Sequence, residues 1–450
     1  LVIVALCVIT IIAVRLLTVS GDFAVVNVLS LIFGAIAFFA LAIWFVFFSA
    51  YPLRTRMGTL TAGLLTVVVF SLCYRLDQVS GDLVPQFKLR WAPDPDRLLS
   101  APMPTAAGEG GAGMLPQAHA GITPNADVAA DETAGESRVE SSSGIDLTVT
   151  SELDFPQFLG PDRRLRADSV TLSEDWDSLP PKQLWRQPIG AGWSAFSAVN
   201  GFAVTMEQRG EQELVTCYNA RTGELLWSAG SATRHRTILG GTGPRSTPTI
   251  DEGRVYAQGA TGALYCLDGS TGGVLWSDNL LQRYGVTLEN ESNGVAWGRS
   301  GSPLIVDNLC VVPAGGPAGG PYVSLTAFDK NTGEVIWEAG DRQVSYGSPV
   351  LAVIGGQRQI LSVNEDNVSG HDPQDGRVLW SHDWPGGSTS NASVSQPVPV
   401  SDDRVLLSKH YGGGSEMLRI NRTDNQAFVV NSIWREPSLL KTKFTNVVVH

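Results

Sequence analysis

Two patterns of hydrophobic and polar positions divide this chain. Residues 23–53 read FAVVNVLSLIFGAIAFFALAIWFVFFSAYPL without one charged side chain, and residues 57–74, MGTLTAGLLTVVVFSLCY, are likewise uncharged. An α-helix rises about 1.5 Å per residue, so each run is long enough to cross a hydrocarbon core of about 30 Å. The opening LVIVALCVITIIAV is a third apolar run, cut short by Arg15. From residue 154 onward the pattern shortens into β-type runs punctuated by Gly, Pro, Asn and Asp. Helices first and strands afterwards are therefore expected.

The strand-rich part repeats one phrase. CYNARTGELLW at 217–227 returns as CLDGSTGGVLW (266–276), AFDKNTGEVIW (327–337) and GHDPQDGRVLW (370–380), with a degraded copy ending at Trp434. The closing Trp residues stand 49, 61, 43 and 54 positions apart. Self-similarity at such a period marks propeller blades or another repeat array. Each unit opens on a Pro-containing run such as STPTI, GSPLIV, GSPVLAV or SQPVPV, and a second run follows. A third enters the Asp-x-x-Thr-Gly turn and a fourth ends in Trp, giving four short antiparallel strands.

The phrase is explained by shape. Asp268, Asp329 and Asp372 open their turns, where a carboxylate accepts from backbone N–H groups two or three residues on. Gly223, Gly272, Gly333 and Gly376 supply the positive φ that closes the hairpin. Trp227, Trp276, Trp337 and Trp380 then pack between neighbouring sheets as structural docking residues, because a four-stranded sheet cannot cover both of its faces alone.

Composition adds a boundary. Across residues 93–154 Ala, Gly, Pro and Ser dominate, and eleven acids face only Arg97 and Arg138. The division expected is a membrane anchor of two to three helices (1–76), a disordered acidic linker (77–153) and a repeat domain (154–450). The linker holds most of the net charge of −12, and nothing basic invites nucleic acid. Arg54 and Arg56 lie between two spans, which puts that loop in the cytoplasm and the repeats outside it. Leu72, where a lipoprotein signal wants a small residue, argues against a lipid anchor at Cys73. Cys217, Cys266 and Cys310 are expected as buried free thiols, since equivalent positions in neighbouring blades stand too far apart to bridge.

The A/L-x-D-x-x-T-G-x-x-x-W phrase resembles the tryptophan-docking repeat of quinoprotein-type β-propellers, the PQQ-like repeat family. That family includes the pyrroloquinoline quinone (PQQ) alcohol dehydrogenases and the non-catalytic outer-membrane assembly factor BamB. FPQFLGPDRR (155–164) and PPKQLWRQPIG (180–190) are similar to the start of bacterial members, and LWRQPIG would supply the outer strand of the last blade. The resemblance implies an all-β propeller preceded by transmembrane α-helices. It implies seven or eight blades where about five are written, so the chain is expected to be a fragment truncated at both ends, its KTKFTNVVVH opening one more blade.

The resemblance also implies where chemistry would sit. A PQQ enzyme holds its cofactor between a Cys–Cys disulfide and a Trp, with calcium on Glu, Asn and Asp oxygens. No Cys–Cys pair occurs here, and NEDN (364–367) is the nearest approach to a calcium loop. The six His residues have no metal-ligand spacing, and His371, beside a repeat Asp, is expected to cap its turn. GGTGPRS lacks the Lys and helix of a phosphate loop and reads as an inter-blade connection. Trp193, Arg245, Arg299 and Tyr346 stand just before first strands, with Glu207, Glu365 and His410 at second-to-third-strand turns. These seven are the candidate ligand-binding residues of a funnel. The preferred reading is a membrane-tethered, periplasm-facing, BamB-like scaffold that binds envelope proteins, with no catalytic residue, no metal and no cofactor. The alternative is a PQQ- and calcium-dependent dehydrogenase passing electrons to the membrane.

Overall fold

The computed structural model describes residues 2–17, 23–100, 144–148, 151–166, 170–387, 391–410 and 412–449. Three helices come first: α1 (Val2–Leu17), α2 (Phe23–Phe48) and α3 (Leu53–Cys73). The last two are long and apolar enough to cross a membrane, and almost none of their side chains is buried in protein. A core helix would bury one face, which neither of these does. Arg54 and Arg56 lie in the first turn of α3, and the far end of that helix runs straight into a strand.

That strand corrects one expectation. Residues 77–98, assigned to a disordered linker, begin within a hairpin of β1 (Tyr74–Val79) and β2 (Pro85–Leu89), followed by a 3-10 turn at Pro95–Leu98. Tyr74 pairs with Leu89 and Leu76 with Phe87, so the strands share one apolar face. Composition averaged over sixty residues hides a six-residue alternation of this kind. Most of the remaining linker, 101–143, lies outside the described residues, but Leu147 is buried and its carbonyl accepts from the N–H of Gly253.

Five antiparallel four-stranded sheets follow, each written in chain order. The first comprises β3 (Ser197–Val199), β4 (Phe202–Arg209), β5 (Gln212–Asn219) and β6 (Leu225–Ser231). A two-residue ribbon, β7 (Arg236–Thr237) with β8 (Gly241–Thr242), leads to the second: β9 (Thr249–Asp251), β10 (Arg254–Gln258), β11 (Ala263–Asp268) and β12 (Val274–Asn279). Short helices α4 (Leu280–Arg283) and α5 (Leu288–Gly294) precede the third: β13 (Leu304–Val306), β14 (Leu309–Gly315), β15 (Val323–Asp329) and β16 (Val335–Ala339). The fourth holds β17 (Val350–Ile354), β18 (Gln357–Val363), β19 (Asn367–His371) and β20 (Val378–Asp383). The fifth holds β21 (Val398–Pro399), β22 (Arg404–Lys409), β23 (Gly414–Arg422) and β24 (Phe428–Glu436).

The sheets are joined by a repeated contact. The indole N–H of Trp227 donates to Gly269 at 3.0 Å, that of Trp276 to Lys330 at 2.9 Å, and that of Trp337 to Pro373 at 3.1 Å. Each acceptor is the carbonyl one residue after the turn Asp of the next sheet. Trp185, in LWRQPIG, makes the same bond to Ala220 at 2.9 Å, although no strand forms around it. The turn glycine lies on the ring in every case, so a Cβ added to Gly333 would sit 2.7 Å from Trp276. Trp380 departs from the pattern and donates to Gln359 of its own sheet at 2.6 Å. In the fifth sheet the hairpin runs on to the pair Arg422–Phe428, leaving no such turn to receive it. The tail 437–449 contains no strand.

A second device ties the inner strands. Phe155 bridges Ala198, the Pro156 carbonyl accepts from Ile250, and Gln396 donates to the Arg163 carbonyl at 2.7 Å. The Arg163 guanidinium is fully buried and donates to the carbonyls of Pro349 (2.6 Å), Ser302 and Pro303, and to the side chain of Gln157. The segment 155–165 thus touches the inner edge of all five sheets in turn. It is a strap across the array.

Candidate functional site

The connections that enter each first strand and the turns between second and third strands share one side of the array. The β1–β2 hairpin lies on that side. The N–H of Val79 donates to Ile238 at 3.0 Å, and Asp77 pairs with Arg236 at 2.6 Å. Around Asp94 and Asp96 the charges interlock: Arg75 and Lys88 reach Asp94 at 2.9 and 2.8 Å, while Arg234 reaches Asp96 at 2.5 Å. Burial opposes the charge of Asp94, but the hydrogen bond from Lys88 and the charges of Lys88, Arg236 and Arg75 hold its carboxyl below the ordinary 3.8. Between hairpin and first sheet opens a cleft of about 290 Å³ whose walls include Gln78, Lys88, Asp94, Gly192 and Trp193.

Behind this cleft several of the predicted residues meet. Trp193 donates to the Gly240 carbonyl at 3.0 Å, and Arg245 donates to the same oxygen and to those of Gly241 and Gly243. Tyr346 stacks on Trp297 with ring centroids 4.8 Å apart, and its hydroxyl accepts from the Trp297 N–H at 3.1 Å. His235 bonds the Trp297 carbonyl at 3.1 Å. Burial, and then the charge of Arg245, push His235 down to about 4, so the ring is neutral at ordinary pH. Burial likewise lowers Arg245 to about 10.

The other predicted residues sit apart. Arg299 is buried in an ion pair with Glu291 at 2.7 Å and donates to the Ala314 carbonyl. Glu207 accepts from Arg209 at 3.0 Å, from the Tyr218 hydroxyl at 2.5 Å and from the N–H of Gly190. The N–H of Glu365 donates to Gln343, and the NEDN turn closes on itself through Asn364 and Asn367 at 2.7 Å. His410 lies in the turn after β22, where its carbonyl accepts from Gly413. His371 bonds the Gly376 carbonyl at 2.9 Å and caps its own turn, as expected.

Arg163 is not the sole buried ionisable group that the sequence reading missed; Glu213 and Lys409 are two more. Glu213 lies at the start of β5 with one carboxylate oxygen accepting from Ala260 at 3.1 Å and the other unpartnered among the described residues. Burial pushes it up to about 7, against the opposing pull of the Ala260 N–H and Arg245. Lys409 is buried beneath Trp384, 5.0 Å from its ring, and donates to the Pro385 carbonyl at 2.5 Å. Burial lowers its amine to about 8. The only sequence signal for either is a charged residue inside an apolar strand.

Chemically, the arrangement is one of guanidinium groups spent on backbone carbonyls. Among the described residues no group of three His, Cys, Asp or Glu side chains stands together to hold a metal. The thiols of Cys217, Cys266 and Cys310 are free, buried and on separate strands. These residues do not fit the disulfide-and-Trp sandwich that a PQQ site would need.

No curated protein matches the chain. Among solved structures, the quinohemoprotein alcohol dehydrogenase from Comamonas testosteroni aligns with TM-score 0.41 and 14% identity, covering 62% of this chain and 47% of that one. This chain therefore spans about half the length of that enzyme. BamB from Moraxella catarrhalis aligns with TM-score 0.37 and 16% identity, over 58% of this chain and 79% of its own. A europium-containing methanol dehydrogenase aligns with TM-score 0.40 and 11% identity, over 56% and 55%. The family described as outer membrane protein assembly factor BamB matches residues 211–442, more than half of the sequence, and the chain belongs to that PQQ-like propeller family.

Proposed function

We propose that this protein is a membrane-anchored scaffold whose propeller, on the extracytoplasmic side, holds partner proteins of the cell envelope. The observation that carries the reading is the rim. Among the described residues the last strand of each four-stranded sheet has a hydrogen-bonded neighbour on one side only, and in the second to fifth sheets it exposes branched aliphatics: Val274 and Leu275, Ile336, Val378, and Val429 and Ile433. An exposed apolar strand edge is a template for strand addition, and soluble proteins normally blunt it with charge or cover it. A binding module has reason to keep it.

The anchor supports the same reading. Asn27, early in α2, donates to the Asp82 carbonyl at the hairpin tip, so the start of α2 and the end of α3 both face the propeller. Arg54 and Arg56 then belong to the opposite end of the bundle. Basic residues prefer the cytoplasmic side, which supports an extracytoplasmic propeller.

The test uses the full chain in its native membrane, carrying photo-crosslinking residues at Leu275, Ile336 and Val378. Adducts with defined envelope proteins, lost when these sites are replaced by Lys, are the expected result. The same protein in detergent is titrated with PQQ and Ca²⁺ while alcohol-dependent dye reduction is followed. A saturable quinone spectrum with turnover, and no adducts, would replace the scaffold reading by the dehydrogenase one.

A further inference from the structure

The hairpin that follows α3 is amphipathic in the wrong sense for a protein surrounded by water. Its face toward the propeller is charged: Arg75 and Lys88 meet Asp94, and Asp77 meets Arg236. Its outward face is apolar, with Tyr74 and Leu76 on one strand and Phe87 opposite, exposed by 38%, 41% and 54%. Trp91, just beyond the second strand, is 66% exposed. In a water-soluble hairpin packed on a domain these roles would be exchanged.

The apolar face is continuous with a membrane span. Phe70, in the last turn of α3, stacks on Tyr74 at 4.8 Å and meets Phe87 edge-on at 5.2 Å. Arg90 is fastened to the same turn, its N–H donating to Cys73 at 2.8 Å and its side chain to Ser71 at 2.9 Å. Phe87 and Trp91 are thereby fixed level with the end of the helix, the depth at which aromatic rings favour the boundary between hydrocarbon and headgroups.

We infer that the outward face of the hairpin, Tyr74, Leu76, Phe87 and Trp91, lies in the lipid headgroup layer. The charged inward face then clamps the propeller flat against the bilayer. This rests on the reading of α3 as a membrane span. It adds a lipid-binding surface to the folded domain and fixes which side of the propeller meets the membrane.

The experiment places a nitroxide label at Phe87→Cys, or separately at Leu76→Cys, in the full chain carrying Cys7→Ala and Cys73→Ala. The protein is reconstituted in nanodiscs of phosphatidylethanolamine and phosphatidylglycerol. Phe70→Cys reports the span itself and Asp341→Cys a remote, water-facing site. Collision with oxygen exceeding collision with a water-soluble nickel chelate at positions 70, 76 and 87, and the reverse at 341, is the expected result. Chelate-dominated collision at 76 and 87 with an oxygen-dominated 70 overturns the lipid contact and spares the anchor. A chelate-dominated 70 overturns both. Spin–spin broadening at 87 shows a second copy covering the face, and also overturns the inference.

Discussion

Asp96 and Arg234 meet at 2.5 Å, joining the segment behind the β1–β2 hairpin to the connection that leaves the first sheet. Both side chains are largely buried, whereas the neighbouring pair Arg97–Glu211 is exposed. Exposed pairs contribute little, while removing one partner of a buried pair strands the other charge. Asp96→Ala is expected to speed amide hydrogen exchange across Tyr74–Leu89, and Arg97→Ala to leave it unchanged. Acid should act through Asp94. Its carboxyl titrates below its ordinary value, so its contribution is present above 3.8 and lost as pH falls through the lowered value. Exchange in the hairpin measured down that range checks the sign.

The seams between sheets are expected to carry much of the stability. Trp276 is buried against Phe328 at 6.0 Å, donates to Lys330 and rests on Gly333, whose φ is +76°. Trp276→Ala should cost about 3–5 kcal/mol, as large aromatic truncations in cores do. Trp276→Phe keeps most of the ring and should lose about 1 kcal/mol with the hydrogen bond. Gly333→Ala combines an unfavourable φ with a Cβ 2.7 Å from the indole, and should destabilise more than Trp276→Phe. Urea midpoints of the full chain in detergent give the order.

Arg163 should matter as much as any Trp. Its guanidinium serves three carbonyls at the entries to the third and fourth sheets and has no carboxylate partner among the described residues. Arg163→Met preserves a long apolar stem and leaves buried acceptors unpaired, a loss on the order of 3 kcal/mol. Arg163→Lys should recover only part of it, because one ammonium cannot reproduce the planar fork. Thermal unfolding of the two variants beside the parent decides this.

These residues also show what the sequence could and could not display. The turn Asp, the glycine and the Trp were legible because the grammar is local: Asp268 accepts from the N–H groups of Ser270 and Thr271, two and three positions on. The strap was not legible, since Arg163 bonds carbonyls 139 to 186 positions away and nothing in PDRR announces them. Trp380 shows the limit of a repeat, because its phrase is complete and the missing turn belongs to the next sheet. The seven candidate residues do not assemble as one group. Position before a first strand brought Trp193 and Arg245 to one carbonyl, but Arg299 found its own acid in α5, and Glu207 turned to Arg209 and Tyr218.

The three propeller thiols should be chemically silent. Burial raises Cys217 to about 12 and Cys266 to about 11, and raises Cys310 further still. The thiolate is the reactive species, so a maleimide should spare all three in the native chain and modify them after denaturation. Peptide mapping by mass spectrometry reads the outcome, and native modification of Cys310 would contradict its burial.

Glu213 gives the propeller a pH dependence of defined sign. Its carboxyl is 2% exposed and titrates near 7, raised by burial above the 4.5 of an unperturbed glutamate. Between those two values the folded state holds a proton that the unfolded state has released. Stability from this group is therefore complete below about 4.5, falls as pH rises toward 7 and is flat above it. The span corresponds to roughly 3 kcal/mol at about 1.4 kcal/mol per pH unit. Glu213→Gln is neutral at every pH and removes the term while keeping an acceptor for Ala260. Unfolding free energies of parent and variant, measured at pH 5 and pH 8, should differ in such a way that the parent loses stability relative to the variant at the higher pH. A difference that stays constant, or grows in the parent's favour, would show that the carboxylate is charged in the folded chain and that Arg245, despite its three carbonyl acceptors, neutralises it.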